Sequence, residues 1–293
     1  MSVVPARNGI LSRNAVGRPV ILALCLFGAY CFDQIETSDG PIDRSDLPVK
    51  ITKVRGSVHL VEDYNFWKTN GVIFAHKDGI VFLDGSWSIK SARQILWKGA
   101  VLSEADYLGV VVTGFPLYRT GGLWAFRQRQ VPIYMQRLTP RLLRAGWISM
   151  QKEMSGSFSA WRSAPPQAPD YVFDRDLRFM GGRVVVLYPG QAHTPDNCVV
   201  YFPEEKILYG GSLITDPPFF LKYSRPEKYQ AVLKKIRALD FNLVIAGHGK
   251  ALHKRSILDR LEAAMSRRAR EKAAATRPGS DPKRRPDPKP TKP

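Results

Sequence analysis

The sequence predicts an α/β or α+β chain, and three observations carry that expectation. Apolar runs of strand length recur at residues 71–75, 80–83, 107–113, 131–135 and 241–246, bounded by turn-forming residues as buried strands are. Between them lie residues 89–97 and 225–239, whose apolar side chains recur at helical spacing and so share one face of a 3.6-residue repeat. With 293 residues and 44% apolar content, the chain can bury a full core in one large domain or two small ones. This composition excludes wholesale disorder. Lys and Arg number 44 against 26 Asp and Glu, a net charge of +18, which favours anionic partners.

Taken in order, residues 1–32 carry Arg7, Arg13 and Arg18 ahead of an apolar run from Pro19 to Phe32. A positive flank, a short apolar middle and a polar exit are the parts of a secretory signal, and the run falls short of the roughly 20 residues of a membrane span. The expectation is export to the periplasm or beyond, with the segment either cleaved as a signal or kept as an anchor. Residues 33–46 then read as a linker. Cleavage after Cys31 would leave Cys198 alone, so the core and not a disulfide must hold the fold.

Residues 47–252 read as the folded domain. Residues 51–61 alternate apolar and polar, and the runs 71–75 and 80–83 flank the turn Lys77-Asp78-Gly79, which together predict strand, hairpin, strand. Residues 89–97 predict a helix with Asp84 as its candidate N-cap, and residues 107–113 a strand buried on both faces. Residues 121–129 predict a helix and 131–135 a short parallel strand. Residues 138–147 predict a further helix with Thr139 and Pro140 at its start, where threonine caps and proline fits the first turn. Residues 155–171 read as a surface loop, and residues 176–180 and 183–188 as a hairpin about Gly181-Gly182. Residues 225–239 place Tyr229, Val232, Leu233 and Ile236 on one face, and the strand 241–246 follows. Residues 253–275 read as a basic terminal helix and 276–293 as a disordered tail rich in proline, lysine and arginine. His59, His76 and His253 fall outside any motif and are expected at the surface.

Five loops carry the chemistry. Phe82-Leu83-Asp84-Gly85-Ser86-Trp87-Ser88 ends a strand in an aspartate, and Thr113-Gly114-Phe115-Pro116-Leu117-Tyr118-Arg119-Thr120-Gly121-Gly122 follows the next parallel one. Further on come Gln191-Ala192-His193-Thr194-Pro195-Asp196-Asn197, then Leu208-Tyr209-Gly210-Gly211-Ser212, and last Gly247-His248-Gly249. In this order they resemble the metal-site motifs of the metallo-β-lactamase superfamily, over roughly residues 47–251. The resemblance implies an αββα sandwich, two mixed sheets face to face with helices outside and any pocket at the edge where the motif loops meet.

The resemblance also implies zinc ligands, with His193 at a first metal and His248 at a second, and with Asp84, Arg119 and Asn197 orienting the ligands. Where β-lactam-hydrolysing members have H-x-H-x-D-R, this chain has Gly114, Pro116, Tyr118 and Arg119. Ser212 stands in place of a cysteine ligand, and Thr215 in place of a lysine that many members use for the substrate carboxylate. Catalytic zinc needs about three nitrogen, oxygen or sulfur donors at roughly 2.0 to 2.3 Å. Glycine and proline offer none, and a serine hydroxyl is a far poorer donor than a thiolate.

The expectation is therefore a non-catalytic relative that keeps the pocket as a binding or scaffolding surface for a small molecule or a protein. No cofactor is expected, with zinc only if the site works. One alternative is a hydrolase of an ester, lactone or β-lactam, with His193 or His248 as base, Ser212 as nucleophile and Tyr118 as proton donor. Another is a structural protein tethered to an anionic membrane through the basic C-terminal residues. No nucleic-acid motif accompanies the charge, and no nucleic-acid partner is expected.

Overall fold

The computed structural model of the chain describes residues 2–3, 48–65, 68–157, 164–218 and 221–275. Beyond the short strand β1 (Ser2–Val3), the signal or anchor segment lies outside the described residues, as do the linker 33–46 and the tail 276–293. One sheet runs in the order β2 (Lys50–Arg55), β3 (Val58–Asp63), β4 (Thr69–His76), β5 (Gly79–Leu83), β6 (Tyr107–Val112), β7 (Ile133–Gln136) and β8 (Tyr171–Phe173). It is antiparallel up to β5 and parallel from there to β8. The second sheet has the order β1, β9 (Asp176–Phe179), β10 (Val184–Leu187), β11 (Val199–Phe202), β12 (Ile207–Tyr209), β13 (Leu243–Ile245) and β14 (Leu252–Lys254).

Alternation along the strands builds the layers. On β4, Val72 and Phe74 point between the sheets while Ile73 points out; on β6, Val111 points in while Val110 and Val112 point out. The inner face meets Leu177, Val186, Val200 and Phe202 of the second sheet, with Phe74 and Phe202 stacked at 5.5 Å. Outside the first sheet lie α1 (Ile89–Leu102), α2 (Leu117–Thr120), α3 (Leu123–Gln128) and α4 (Thr139–Ser157). Outside the second lie α5 (Tyr229–Arg237) and α6 (Ile257–Ala275). This is the αββα sandwich, and it brings the motif loops to one edge.

Several elements differ from the sequence expectation. Residues 51–61 form two strands, because Gly56 sits at φ +53 and turns the chain between β2 and β3. Asp84 does not cap α1. It ends β5 at φ +70, and Ser88 caps the helix by accepting from the Ser91 amide at 3.1 Å. The helix expected over 121–129 forms as α3, and a further short helix, α2, precedes it at Leu117–Thr120. Between them Gly121 passes so close to Trp87 that a Cβ would come within 2.1 Å of its carbonyl oxygen. Helix α4 continues to Ser157, since no proline or glycine pair stops it before then, and Tyr171, the last residue of the expected loop, begins β8, which pairs with β7. His253 lies in β14, opposite Val244, and α6 starts only at Ile257. His59 and His253 are buried, not at the surface. His59 bonds the Ser57 carbonyl at 3.1 Å through Nδ1, and His253 bonds the Lys250 carbonyl at 2.8 Å through Nε2.

Candidate functional site

Arg119 is the hub of the motif edge. Buried completely, its guanidinium donates from Nη1 to the Asn70 carbonyl at 2.7 Å and the Tyr209 hydroxyl at 2.8 Å. Nη2 donates to the Gly247 carbonyl at 2.9 Å, and Nε to Ser212 Oγ at 3.1 Å. Its counter-charge is Asp84, 3.1 Å from Nη1. The Asp84 carboxylate also accepts from the Thr113 amide at 2.7 Å, the Thr113 hydroxyl at 2.9 Å and Tyr209 at 2.6 Å. Strands of both sheets thus converge on one buried ion pair whose charges are matched by hydrogen bonds. Such a pair resists loss of either partner far more than it stabilises by its own attraction.

Asn197 shapes the loop that presents His193. Its Oδ1 accepts from the Ala192 amide at 3.0 Å and the Thr194 amide at 3.1 Å, and its Nδ2 donates to the Gly190 carbonyl at 2.8 Å. His193 is buried, and burial first, then the charge of Arg119, pushes its pKa down to about 3. Tyr118 sits between the two motif histidines. Its hydroxyl lies 3.4 Å from His193 Nε2, and its ring meets that of His248 edge-on at 4.6 Å between centroids. Burial raises its pKa to about 12, with Arg119 and a hydrogen bond to Ser212 acting in the other direction. Arg119, Ser212, Tyr118 and His193 therefore form one chain of hydrogen-bonded side chains. Ser212, Thr215 and His248 are buried as well.

The structure brings every predicted site residue to this edge, but in roles the sequence did not specify. Ser212 accepts from the Arg119 guanidinium and donates to the Tyr118 phenol. Among the described residues no three His, Cys, Asp or Glu side chains converge as a metal cage would require. Cys198 is buried, with its Sγ 3.5 Å from the Asp196 carbonyl.

Three participants were missed. Tyr209 and Asn70 bind the ion pair, and nothing in their strand pattern distinguished them from core and turn residues. Asp196 stood inside a motif and offered more signal. Its buried carboxylate accepts from Thr139 and from Thr194, each at 2.7 Å, and burial raises its pKa to about 6. A Cβ on Gly114 would lie 3.5 Å from Thr194 Oγ1 and 3.8 Å from Asp196 Oδ1. This carboxylate thus borders the position where the resemblance expects a histidine.

Comparison with known proteins matches residues 120–248 to the family model of the metallo-beta-lactamase superfamily. A metallo-beta-lactamase type 2 of Bacillus sp. (strain 170) is 27% identical over 202 residues, covering 66% of this chain and 72% of that protein. The crystal structure of DIM-1 metallo-beta-lactamase superposes with a TM-score of 0.65 at 21% identity, over 76% of this chain and 99% of that one. FIM-1 from Pseudomonas aeruginosa, a metallo-beta-lactamase solved in a mono-zinc form, gives 0.64 at 20% identity over 76% and 97%. Motif order, two-sheet architecture and these relatives agree, and the chain is similar to the metallo-β-lactamase superfamily in its fold and over the matched residues 120–248.

Proposed function

We propose that this chain is a non-catalytic member of its superfamily, which uses the motif edge as a binding or scaffolding surface. The observation that carries the reading is Tyr118, seated between His193 and His248, where the family's reaction needs an open metal position. Fit to zinc fails on donors. Gly114 and Pro116 have none, Ser212 is held by Arg119, and a tyrosine pushed up to about 12 stays a neutral phenol. Without a metal to lower the pKa of water, this family's route to hydroxide near neutral pH is closed.

The hydrolase alternative draws no support from the geometry. An imidazole whose pKa lies near 3 is a weak base, and the Ser212 hydroxyl is directed to other partners. The reading includes export, supported by the basic, apolar and polar order of residues 1–46. Among the described residues no helix is long and apolar enough to cross a membrane.

Metal analysis and β-lactam turnover by the purified full-length protein test this together. After equilibration with zinc and gel filtration, well under one zinc per chain and no hydrolysis above the uncatalysed rate are expected. One or more tightly held zinc ions per chain, or measurable turnover, would overturn the proposal. Tyr118→Ala, which opens the space between the histidines, should still fail to hydrolyse.

A further inference from the structure

The outer helices of the first sheet carry cations and large apolar side chains that reach solvent. Helix α1 buries Ala92, Ile95 and Leu96 against the sheet, and its outward stripe is Lys90, Arg93, Trp97 and Val101. Helix α4 buries Leu143, Trp147 and Met150, and turns out Arg141, Arg144 and Ile148. Neither α1 nor α3 contains an acidic residue, and the acid in α4 is Glu153, near its far end. On the same two helices as these cations, Trp97, Val101 and Ile148 are exposed by 56%, 69% and 81%. Large apolar side chains on an outward helical face lose solvation free energy in water and gain it on transfer to an apolar phase.

We infer that this face docks the protein onto an anionic lipid bilayer. Cations near such a surface contribute about 1 kcal/mol each, while tryptophan, valine and isoleucine enter the boundary between headgroups and acyl chains. The apolar residues decide among anionic partners. A polyanion such as nucleic acid would pair with the arginines and have no use for three protruding hydrophobic side chains. The surface uses no residue of the C-terminal tail or of the motif loops, so it stands whether or not the site is catalytic.

The test is sedimentation of the full-length protein with phosphatidylglycerol-containing vesicles and with pure phosphatidylcholine vesicles, at about 0.1 M and about 0.5 M salt. The chain should partition to the anionic vesicles and not to the neutral ones, and salt should weaken binding. Three full-length variants apportion the effect: Trp97→Ser with Ile148→Ser, Arg141→Glu with Arg144→Glu, and a tail in which Lys283, Arg284, Arg285, Lys289 and Lys292 become Gln. Each face variant should lose at least about tenfold in partitioning while unfolding at the wild-type temperature, and the tail variant should keep most of its binding. Lipids brominated along the acyl chain should quench wild-type fluorescence more than that of Trp97→Ser. Binding that survives both face variants, or that vanishes only with the tail variant, overturns the inference. So does a serine variant that binds as wild type while the glutamate variant does not, since that marks a surface for polyanions.

Discussion

Removing Arg119 tests whether the motif edge is held by charge or by packing. Arg119→Met keeps the bulk but leaves the Asp84 carboxylate buried without its counter-ion, and takes from the Asn70 and Gly247 carbonyls one of their two donors each. Breaking one side of such a pair costs about 3 to 5 kcal/mol. Urea unfolding should read a loss of that size, and a loss under about 1 kcal/mol would mean that the pair adds nothing to the edge. Titration gives a second handle. His193 titrates near 3 in the folded chain against an ordinary 6.5, so the unfolded chain takes up the proton first and acid weakens the fold as pH falls through that window. Asp196 acts in the opposite sense. Its folded value of about 6 lies above the ordinary 3.8, so the folded chain keeps a proton that the unfolded one has released, and stability falls as pH rises between those values. The two contributions oppose one another over most of the acid range. Asp196→Asn removes one and leaves the other, so the variant's stability should climb more steeply from pH about 4 to about 6 than the wild type's. Equal slopes in urea unfolding across that range would show that Asp196 is not the group titrating.

At the scale of elements, the two glycines that flank the substituted motif make opposite predictions. Gly121→Ala drives a methyl against the Trp87 carbonyl at the crossing of α2 and the loop before α1, and should cost at least about 2 kcal/mol in unfolding experiments. Gly114→Ala adds a methyl at ordinary contact distance from Pro116 and Thr194, and should change stability by no more than about 0.5 kcal/mol. If both behave alike, the close approach of Gly121 to Trp87 is not what fixes this crossing. The same region shows how much of the chain was legible in its sequence. Strands such as β4 and β6 are legible because burial on one or both faces writes itself into apolar periodicity. The motif loops are legible as an ordered set, and so was the absence of donors at Gly114 and Pro116. Roles resting on long-range contacts are not. Ser88 instead of Asp84 as the cap follows from where β5 turns, and the partners of Arg119 are carbonyls 49 and 128 residues away, which carry no mark in sequence. Nor does residue type say that Tyr118 should fill the space between two imidazoles instead of facing solvent.

For the whole molecule, the last helix shares with α5 the outer layer of the second sheet. By charge alone residues 253–275 look like an appendage, and basic side chains do line the outward side of α6. Yet its inward residues Ile257, Leu258, Leu261 and Met265 join Val232, Leu233 and Ile236 of α5 in covering Val199, Leu208 and Val244 on the outer face of the second sheet. That sheet carries β12 and β13, whose ends present Ser212 and His248. The helix therefore supports the motif edge from behind, although no residue of it reaches the site. Leu258 is fully buried, so Leu258→Ala leaves a cavity in this layer and should cost about 2 to 5 kcal/mol. Arg267→Ala and Arg268→Ala, further along the same helix, should each stay within about 0.5 kcal/mol. Thermal and urea unfolding of the full-length variants would distinguish the cases. A Leu258→Ala protein as stable as the wild type would mean that the second sheet closes its outer face without α6, and that the basic helix is the appendage its charge suggests.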